Sequence, residues 1–439
     1  MKINESTLVA QAKEILYGNV RDGFTVPTAR LYPFQWNWDS GFVSIGFANF
    51  DLEAAFAEIR SLLKGQWANG MVPHIIFHSE TEKDYFPNWD FWEANVNPGA
   101  PNSPKTSGIT QPPVLGFVLE HLWEKHPNNP EVVDFIKEAF PKVVAFHQFW
   151  YEYRDPYQEG LVFIYHPWES GRDNSPLWDA PLNRIDIENA NLPQYQRRDI
   201  TIADASERPT QLQYDQYVYL LQLGKKHLYE GKGIAEESEF LIQDCMINAL
   251  LISSNESLIK IGKRLNLEVG KIEEWQQQSK KAYDDKFWSD ALGTYTGYDL
   301  RQKEQLPYWE IGGTSALFAE IPSAEKAHKI INHLKELSHN GYLIAPSFDV
   351  NHEYFDSKRY WRGPVWPQMN WLIYFGLQKY GDPKMAEIVK ENLLELVSRF
   401  GFYEYFEAQK HLLDTTHGGY GGTQFSWTAS SVIDLILAT

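Results

Sequence analysis

The residues best suited to chemistry lie in one stretch, Pro167-Trp168-Glu169-Ser170-Gly171-Arg172-Asp173-Asn174-Ser175-Pro176-Leu177-Trp178-Asp179. Its glycine and prolines oppose a continuous helix, so we expect a loop whose side chains point into a cleft. A carboxylic acid among indole rings is partly desolvated, which raises its pKa and lets it keep a proton near neutral pH. Asp173 is therefore our candidate general acid. The alternative is a solvated turn in which Arg172 pairs with Glu169 or Asp179.

Three other segments, 32–41, 359–367 and 402–407, share this polar and aromatic composition and fall at predicted helix junctions. A ring of paired helices brings alternate junctions to one end, where the segments would form one pocket. Aromatic faces can pack on sugar C–H groups, while carboxylates, arginine and glutamine bind hydroxyls. Each segment alone would more simply be core or rim, but four together favour a sugar pocket.

Glycoside hydrolysis needs a second carboxyl group that is ionised. Glu404, between Tyr403 and Tyr405, is the better candidate. Glu407 is the alternative, because three residues further on it could share a face of a helical turn. Either glutamate could instead lie at a solvated strand end.

Hydrophobic periodicity predicts a mostly helical chain. The expected helices cover 6–17, 41–49 (capped by Asp39 or Ser40), 51–66, 112–126, 130–153, 210–230, 235–253, 255–265, 270–287, 313–320, 323–337, 364–380, 383–400 and 426–438. Short strands are expected near 161–165 and 402–406. Sequential helical pairs of this number can close into a ring of inner and outer helices. With no linker or composition break, we expect one all-α domain over 1–439, capped by irregular loops near 67–110 and 180–209.

Composition excludes several classes of function. The formal net charge of −18 argues against a nucleic-acid or anionic-membrane partner. No apolar run is long enough to span a membrane, and the first 18 residues resemble an amphipathic helix rather than a secretory signal. A lone cysteine, Cys245, favours the cytoplasm. A homo-oligomer remains compatible with the sequence.

No cofactor or metal is expected. His74 and His78 are four residues apart but lack an evident third ligand. The sequence shows no nucleophile elbow, P-loop or dinucleotide fingerprint. The stretch Gly418-Gly419-Tyr420-Gly421-Gly422 has no following Lys-Ser or Lys-Thr, so we interpret it as a flexible loop beside the pocket.

The chain resembles the clan of inverting α-glycosidases that includes glycoside hydrolase family 63 and the trehalases. Within it, the resemblance is greatest to the compact bacterial members that hydrolyse mannosylglycerate and glucosylglycerate. The matching segments are Tyr-Pro-Phe-Gln-Trp-Asn-Trp-Asp-Ser-Gly at 32–41, Glu-Ser-Gly-Arg-Asp-Asn-Ser-Pro at 169–176, Tyr-Trp-Arg-Gly-Pro-Val-Trp-Pro at 360–367, Phe-Tyr-Glu-Tyr-Phe at 402–406 and Phe-Ser-Trp-Thr-Ala at 425–429. They occur in the order found in that family.

This resemblance implies an (α/α)6 barrel and an inverting mechanism in which Asp173 is the general acid and Glu404 the base. It implies that the hexose is held by Tyr32, Trp36, Trp38, Asp39, Gln111, Tyr360, Trp361, Gly363 and Trp366. Arg208 and Tyr214, joined by Tyr85, match residues that grip the glycerate carboxylate.

A guanidinium group also suits this last task physically, because it binds a carboxylate through a bidentate fork. The alternative is that Arg208 pairs with Asp204 or Glu207. Segment 180–207 is the least familiar part, and we expect it over the leaving-group pocket. The chain has no room for the extra β-rich domains of larger family members, which favours a small substrate.

Our hypothesis is a cytoplasmic inverting α-glycosidase that acts on a small glycoside carrying a carboxylate, namely glucosylglycerate or mannosylglycerate. One alternative is an α-glucosidase for a neutral disaccharide, similar to a trehalase or a kojibiose hydrolase. Another is a sugar-binding protein without catalytic activity. The residues leave the choice between glucose and mannose open.

Overall fold

The computed structural model describes residues 3–79, 85–414 and 417–438 and is mostly helical. Its α-helices are α1 (Glu5–Asn19), α2 (Asn37–Ala48), α3 (Leu52–Lys64), α4 (Trp89–Trp92), α5 (Leu115–Lys125), α6 (Pro130–Tyr153), α7 (Asp179–Leu182), α8 (Asp199–Ile202), α9 (Gln211–Lys226), α10 (Gly231–Glu237), α11 (Cys245–Leu265), α12 (Gly270–Phe287), α13 (Ser315–Phe318), α14 (Ala324–His339), α15 (Pro367–Lys379), α16 (Pro383–Phe400) and α17 (Ser426–Leu437).

Six of these helices form a closed inner ring. In order around the ring, each contacting the next, they are α2, α5, α11, α13, α15 and α17, and α17 returns to contact α2. An outer layer packs on them, with α1 on α17, α3 on α2, α6 on α5, α12 on α11 and α16 on α15. The ring of helical pairs predicted from the sequence is confirmed, and the architecture is an (α/α)6 barrel.

The burial of each helix follows from its layer. Every residue of α2 is buried, because an inner helix is enclosed on all sides and must be apolar or internally bonded all round. The outer helix α3 buries the face predicted from its periodicity, including Phe56, Ile59 and Leu62. No helix in the described ranges is both long and apolar enough to cross a membrane.

The strands are short and antiparallel. They are β1 (Gln35–Trp36), β2 (Ile75–Phe77), β3 (Lys105–Thr106), β4 (Ile242–Gln243), β5 (Trp288–Ser289), β6 (Thr294–Tyr295), β7 (Tyr298–Asp299), β8 (Glu304–Gln305), β9 (Tyr403–Phe406) and β10 (Gly419–Thr423). They form the sheets β1-β2-β3, β4-β7-β8, β5-β6 and β9-β10. In the last of these, Tyr405 pairs with Tyr420, and a bulge separates Tyr420 from Thr423.

Two predicted helices, 235–253 and 255–265, are wrong in their boundaries, since one continuous helix, α11, covers Cys245–Leu265. The polar residues at the predicted junction are satisfied from outside the helix. Ser254 donates to the carbonyl of Pro113 at 2.6 Å, and Asn255 accepts from the His147 ring at 2.7 Å. Polar residues therefore continue the helix instead of ending it.

Three smaller expectations also fail. Helix α2 begins at Asn37 rather than at 41, and Asp39 and Ser40 lie inside its first turn. The hydroxyl of Ser40 is used elsewhere, donating to Glu58 at 2.5 Å. Segment 161–165 makes one isolated bridge, from Ile164 to Ile242, instead of a strand.

Candidate active site

Two adjoining pockets lie at the end of the barrel where the inner helices begin. The first, which we call the carboxyl pocket, is lined by Pro27, Tyr32, Trp36, Trp38, Asp39, His74, Gln111, Gly171, Asp173, Tyr360, Glu404, Phe425 and Trp427. The second, the arginine pocket, is lined by Leu31, Tyr32, Trp36, His74, Ile75, Tyr85, Phe86, Pro87, Trp168, Asp173, Arg198, Asp199, Arg208, Pro209 and Tyr214. Asp173 lines both pockets and marks their junction.

The loop that carries Asp173 is held by backbone contacts. Gly171 has a φ of +68°, and a Cβ there would lie 2.7 Å from the Trp38 ring, so the turn requires glycine. The hydroxyl of Tyr217 donates to the Asp173 carbonyl at 2.8 Å. The Asn174 side chain accepts from the Trp361 amide at 3.0 Å, which joins this loop to segment 359–367.

Beneath the loop, Arg172 is fully buried between two carboxylates. Its guanidinium lies 2.9 Å from Asp244 and 2.8 Å from Glu310. The solvated-turn alternative is therefore wrong, because Arg172 is in the core and its partners come from distant parts of the chain. Separating Arg172 from its two carboxylates would leave an uncompensated buried charge, which is costly. The ion pairs therefore hold the loop rigidly from below.

The other two carboxylates of this stretch are also paired elsewhere. Glu169 is buried and forms an ion pair with Arg154 at 2.8 Å. Asp179 is paired with Arg362 of segment 359–367. Asp173 is thus the carboxyl group of the stretch that faces the pockets.

Asp173 is partly exposed to the pockets but surrounded by protein. Desolvation raises the pKa of Asp173 to about 7, with Arg208 opposing the rise and the neighbouring Glu404 adding to it. No side chain in the described part of the chain donates a hydrogen bond to its carboxyl oxygens. A substantial fraction of Asp173 therefore keeps its proton near neutral pH.

Glu404 is buried on β9 and is better supplied with donors. Its oxygens accept from the Tyr32 hydroxyl at 3.0 Å and from the Gly422 amide at 3.0 Å, and Arg208 lies 3.8 Å away. Burial raises the pKa of Glu404, while Arg208, the Gly422 amide and the Tyr32 hydroxyl oppose that rise. Donors to a carboxylate favour its ionised form, so ionisation has more support at Glu404 than at Asp173, although burial raises the pKa of both groups.

Glu407 lies outside this arrangement. The expected strand near 402–406 is confirmed, so residues three apart point to opposite faces and cannot share a helical turn. Glu407 accepts from the Ser357 hydroxyl at 2.9 Å and the Tyr420 hydroxyl at 3.2 Å. The structure therefore brings Glu404, not Glu407, to the pocket of Asp173.

The glycine-rich stretch 418–422 was expected to be a flexible loop, but most of it forms β10. Gly421 has a φ of +69°, and a Cβ there would collide with the Glu404 carboxylate. The glycines thus allow a backbone to lie directly against the carboxylate and donate to it.

Arg208 connects the two pockets. It donates to the Tyr32 hydroxyl at 2.9 Å, lies 3.4 Å from Asp199 and stacks 4.1 Å from the centre of the Tyr360 ring. The alternative pairing with Asp204 or Glu207 is wrong. Asp204 is paired with Lys358, and Glu207 accepts from the Gly421 amide.

The rest of the arginine pocket is aromatic and charged. Tyr85 and Tyr214 line it, as the sequence suggested, and the Arg197 guanidinium stacks 4.4 Å from the Tyr214 ring. Arg197 also holds Asp199 through two hydrogen bonds, at 3.0 and 2.7 Å.

Most predicted hexose contacts line the carboxyl pocket, but three lie behind its wall. Trp361 and Trp366 are buried and stacked on each other at 3.7 Å, and the Trp366 indole donates to the carbonyl of Tyr360. Gly363 packs against the backbone of Asp356. These residues support Tyr360, which has a φ of +44°.

Sequence reasoning missed several pocket residues. They are Trp168, Asp199, Phe425 and Trp427. Trp168 and the pair Phe425 and Trp427 stood in segments already singled out, whereas nothing in the sequence distinguished Asp199. Among residues 3–79, 85–414 and 417–438, no group of three His, Cys, Asp or Glu side chains could hold a metal ion.

Known proteins of the same architecture clarify the class. A crystal structure of a glycoside hydrolase family 63 mannosylglycerate hydrolase from Thermus thermophilus, in complex with Tris and D-glycerate, superposes with a TM-score of 0.90. The two chains are 38% identical, and the match covers 97% of this chain and 99% of the other. The fold is thus that of an (α/α)6-barrel glycoside hydrolase.

Sequence comparison refines this class. Residues 32–428 match the mannosylglycerate hydrolase MGH1-like glycoside hydrolase domain, and the chain belongs to this family. Mannosylglycerate hydrolase of Thermus thermophilus is 39% identical over 96% of this chain and 98% of its own. Glucosylglycerate hydrolase of Mycolicibacterium hassiacum is 31% identical over 97% of each chain.

Proposed function

We propose that this protein hydrolyses glucosylglycerate, mannosylglycerate or both to a hexose and glycerate, with inversion at the anomeric carbon. The observation that carries the proposal is the arrangement at the junction of the pockets. Asp173 and Glu404 line one pocket, and Arg208 lies between Glu404 and the adjoining one. The proposal is supported by one relative named mannosylglycerate hydrolase and another named glucosylglycerate hydrolase.

In this proposal Asp173 is the general acid and Glu404 the general base. Asp173, whose pKa is raised to about 7 by burial, protonates the departing glycosidic oxygen. Glu404, held ionised by its donors, removes a proton from the water that attacks the opposite face. Inversion requires roughly 6.5–9.5 Å between the two carboxyl groups, which leaves room for that water.

The hexose would occupy the carboxyl pocket. Trp36, Trp38 and Tyr360 offer ring faces to its C–H groups, while Asp39 and Gln111 offer polar atoms to its hydroxyls. Trp361, Gly363 and Trp366 would act by holding Tyr360 in place.

The glycerate would occupy the arginine pocket, where Arg208 can bind its carboxylate and Tyr85 and Tyr214 complete the walls. Leu31, Tyr85 and Phe86 come from the loops before β1 and α4, and Arg198 and Asp199 from segment 180–209. We therefore assign the regions near 67–110 and 180–209 as caps of a single catalytic domain.

We place the reaction in the cytoplasm, as the lone and buried cysteine Cys245 favours. A homo-oligomer is compatible with this activity. The proposed mechanism draws its groups from side chains and water and uses no cofactor.

The deciding experiment offers the purified protein glucosylglycerate, mannosylglycerate, trehalose and kojibiose and follows each reaction by proton NMR. We expect one or both glycerate glycosides to be hydrolysed and the β-anomer of the hexose to appear first. First appearance of the α-anomer would contradict inversion. Preferential turnover of trehalose or kojibiose would favour the neutral-disaccharide alternative, and no turnover of any substrate the sugar-binding one.

A matched substrate tests the role of the carboxylate. Glucosylglycerol replaces the carboxylate of glucosylglycerate with a neutral hydroxymethyl group. Because a hydrogen bond to a charged group contributes about 1.5–3 kcal/mol, we expect kcat/KM to fall roughly 10- to 100-fold. Equal kcat/KM values would show that the arginine pocket does not select an anion.

A further inference from the structure

Arg208 faces Glu404 as well as the arginine pocket. Its Nη2 donates to the Tyr32 hydroxyl at 2.9 Å, and that hydroxyl donates to Glu404 Oε1 at 3.0 Å. Its Nη1 lies 3.8 Å from Glu404 Oε2. The guanidinium therefore reaches both oxygens of the carboxylate, one directly and one through a tyrosine.

Arg208 is nearly inaccessible, with 4% of its surface exposed. Within the described residues, Nη1 has no hydrogen-bond partner although it is buried. Leaving a buried charged donor unpaired is costly, so its position beside Glu404 needs a reason. Electrostatic attraction to that carboxylate, in surroundings that exclude water, provides one.

The titratable groups that face Glu404 come from several elements. They are Tyr32, Asp39, Asp173, Arg208, Tyr360 and Tyr405. Of these, Arg208 alone is a cation. The two aspartates would each oppose ionisation of Glu404 when charged, so Arg208 offsets both burial and like-charge repulsion.

We propose that Arg208 is a positioning residue for the general base: together with Tyr32 it keeps Glu404 ionised and oriented, in addition to meeting the leaving group. This inference rests on the proposed function, because it assigns Glu404 as base. The Arg208 side chain then has two separate tasks. Recognition of the substrate carboxylate depends on the leaving group, whereas support of the base is needed for every substrate.

Substrate binding should change the effect of Arg208 on Glu404. A carboxylate bound by Arg208 would share the positive charge that otherwise acts on Glu404. The base would then be stronger in the complex with an anionic glycoside than in the free enzyme. A glycoside without a carboxylate would leave the charge of Arg208 undivided.

The test uses α-D-glucosyl fluoride and α-D-mannosyl fluoride, which lack a carboxylate and need no acid for fluoride departure. Fluoride release is measured against pH for the wild type, Arg208→Met, Arg208→Lys and Tyr32→Phe. Removing the cation raises the pKa of the base, so the acidic limb should move to higher pH in Arg208→Met. On that limb the rate at a fixed pH falls about tenfold for each pH unit by which the limb moves.

Arg208→Lys keeps the charge and should restore the limb in large part, while its kcat/KM for glucosylglycerate stays low. Tyr32→Phe should move the limb in the same direction by less. Lys358→Met is the control, since Lys358 is a cation that lines neither pocket and pairs with Asp204, so its removal should leave the limb in place. An unchanged limb in Arg208→Met would overturn the proposal.

A second measurement needs no substrate. The carboxyl carbon of Glu404 is titrated by NMR in protein labelled with ¹³C-glutamate, and its signal is assigned from Glu404→Gln. We expect a higher pKa in Arg208→Met than in the wild type, and the same pKa would overturn the proposal. If no glycoside were hydrolysed, the proposed function would fail, whereas this titration would still decide whether Arg208 controls Glu404.

Discussion

The two ends of the barrel each bury carboxylates, but they treat them in opposite ways. At the end away from the pockets, near the C-terminus of α17, Asp434 accepts from the Trp371 indole at 2.8 Å and from Asn49 at 3.1 Å. Lys125 lies 2.9 Å away and His121 3.1 Å away. Burial would raise the pKa of Asp434, but His121 and Lys125 bring it well below its usual range.

At the pocket end, Asp173 and Glu404 are also enclosed by protein but have fewer partners. Burial raises the pKa of both groups, and Arg208 is shared between them. Burial alone therefore does not distinguish a structural carboxylate from one poised for proton transfer. Two cations offset the cost of burial at Asp434, whereas Asp173 and Glu404 share one arginine.

The largest expected effect is loss of catalysis at the pocket end. Asp173→Asn and Glu404→Gln should each lower kcat by about 10²–10⁴-fold, because each removes a proton-transfer group. The measurement is kcat with saturating glucosylglycerate or mannosylglycerate, with thermal unfolding as a check on folding. Glu407→Gln is the matched control and should keep most activity; a comparable loss there would make Glu407 the base.

At the opposite end the expected loss is one of stability. Asp434→Asn leaves Lys125 and His121 without their anion and should lower the free energy of unfolding by about 3 kcal/mol. The measurement is urea unfolding at pH 7, compared with Asp186→Asn at an exposed site, which should change stability by less than about 0.5 kcal/mol. A similar small change in both variants would show that the Asp434 network is not stabilising.

The two ends should also respond to pH with opposite signs. The lowered pKa of Asp434 gives stability that is present above the unfolded pKa of about 3.9 and lost as pH falls below it. The raised pKa of Asp173 has the opposite effect. Between about pH 4 and about pH 7 the unfolded chain loses the Asp173 proton before the folded protein does, so stability falls as pH rises.

Asp173→Asn should therefore be more stable than the wild type at pH 8, by about 1 kcal/mol once solvent screening at the pocket is allowed for. The gain should vanish below pH 4. Thermal unfolding across this range tests it, and a lower melting temperature at pH 8 would contradict the raised pKa.

The pH dependence of activity should also follow the ionisation of Asp173. With an acid whose pKa is about 7, kcat/KM for glycerate glycosides should fall about tenfold per pH unit on the alkaline side of 7. Glycosyl fluorides need no acid, so their alkaline limb should be absent or displaced. An identical limb for both kinds of substrate would assign it to another group.

The smallest expected effect comes from one methyl group. Gly421→Ala would press a Cβ against the Glu404 carboxylate, and kcat should fall by about tenfold, as misplacement of a catalytic group does. Gly341→Ala is the control, since Gly341 has a φ of +85° but open space around it. Gly341→Ala should lose about 1 kcal/mol of stability and Gly421→Ala more, because of the collision. An equal kcat in both variants would show that the close approach is unimportant.

Periodicity was sufficient for the ring of helices, and local composition pointed to Asp173 and Glu404 but left Glu407 as an alternative. The face of α3 and the strand around Glu404 could be predicted because their signals lie within a few residues. The partners of Arg172 could not, because Asp244 and Glu310 lie far along the chain and only the closed ring brings them together. Asp199 and the role of the 418–422 glycines depend in the same way on contacts that no local pattern records.

The closure of the ring has a consequence for the order of folding. Helices α2 and α17 are in contact although nearly the whole chain separates them, and Asn19 donates to Ser426 at 2.9 Å across the same seam. Contacts of such sequence separation form slowly, because a long loop must be closed first. Asp39 and Trp427 stand on the two sides of this seam. During synthesis, then, the carboxyl pocket would be among the last parts of the molecule to assemble, after most of the helical pairs have already left the ribosome.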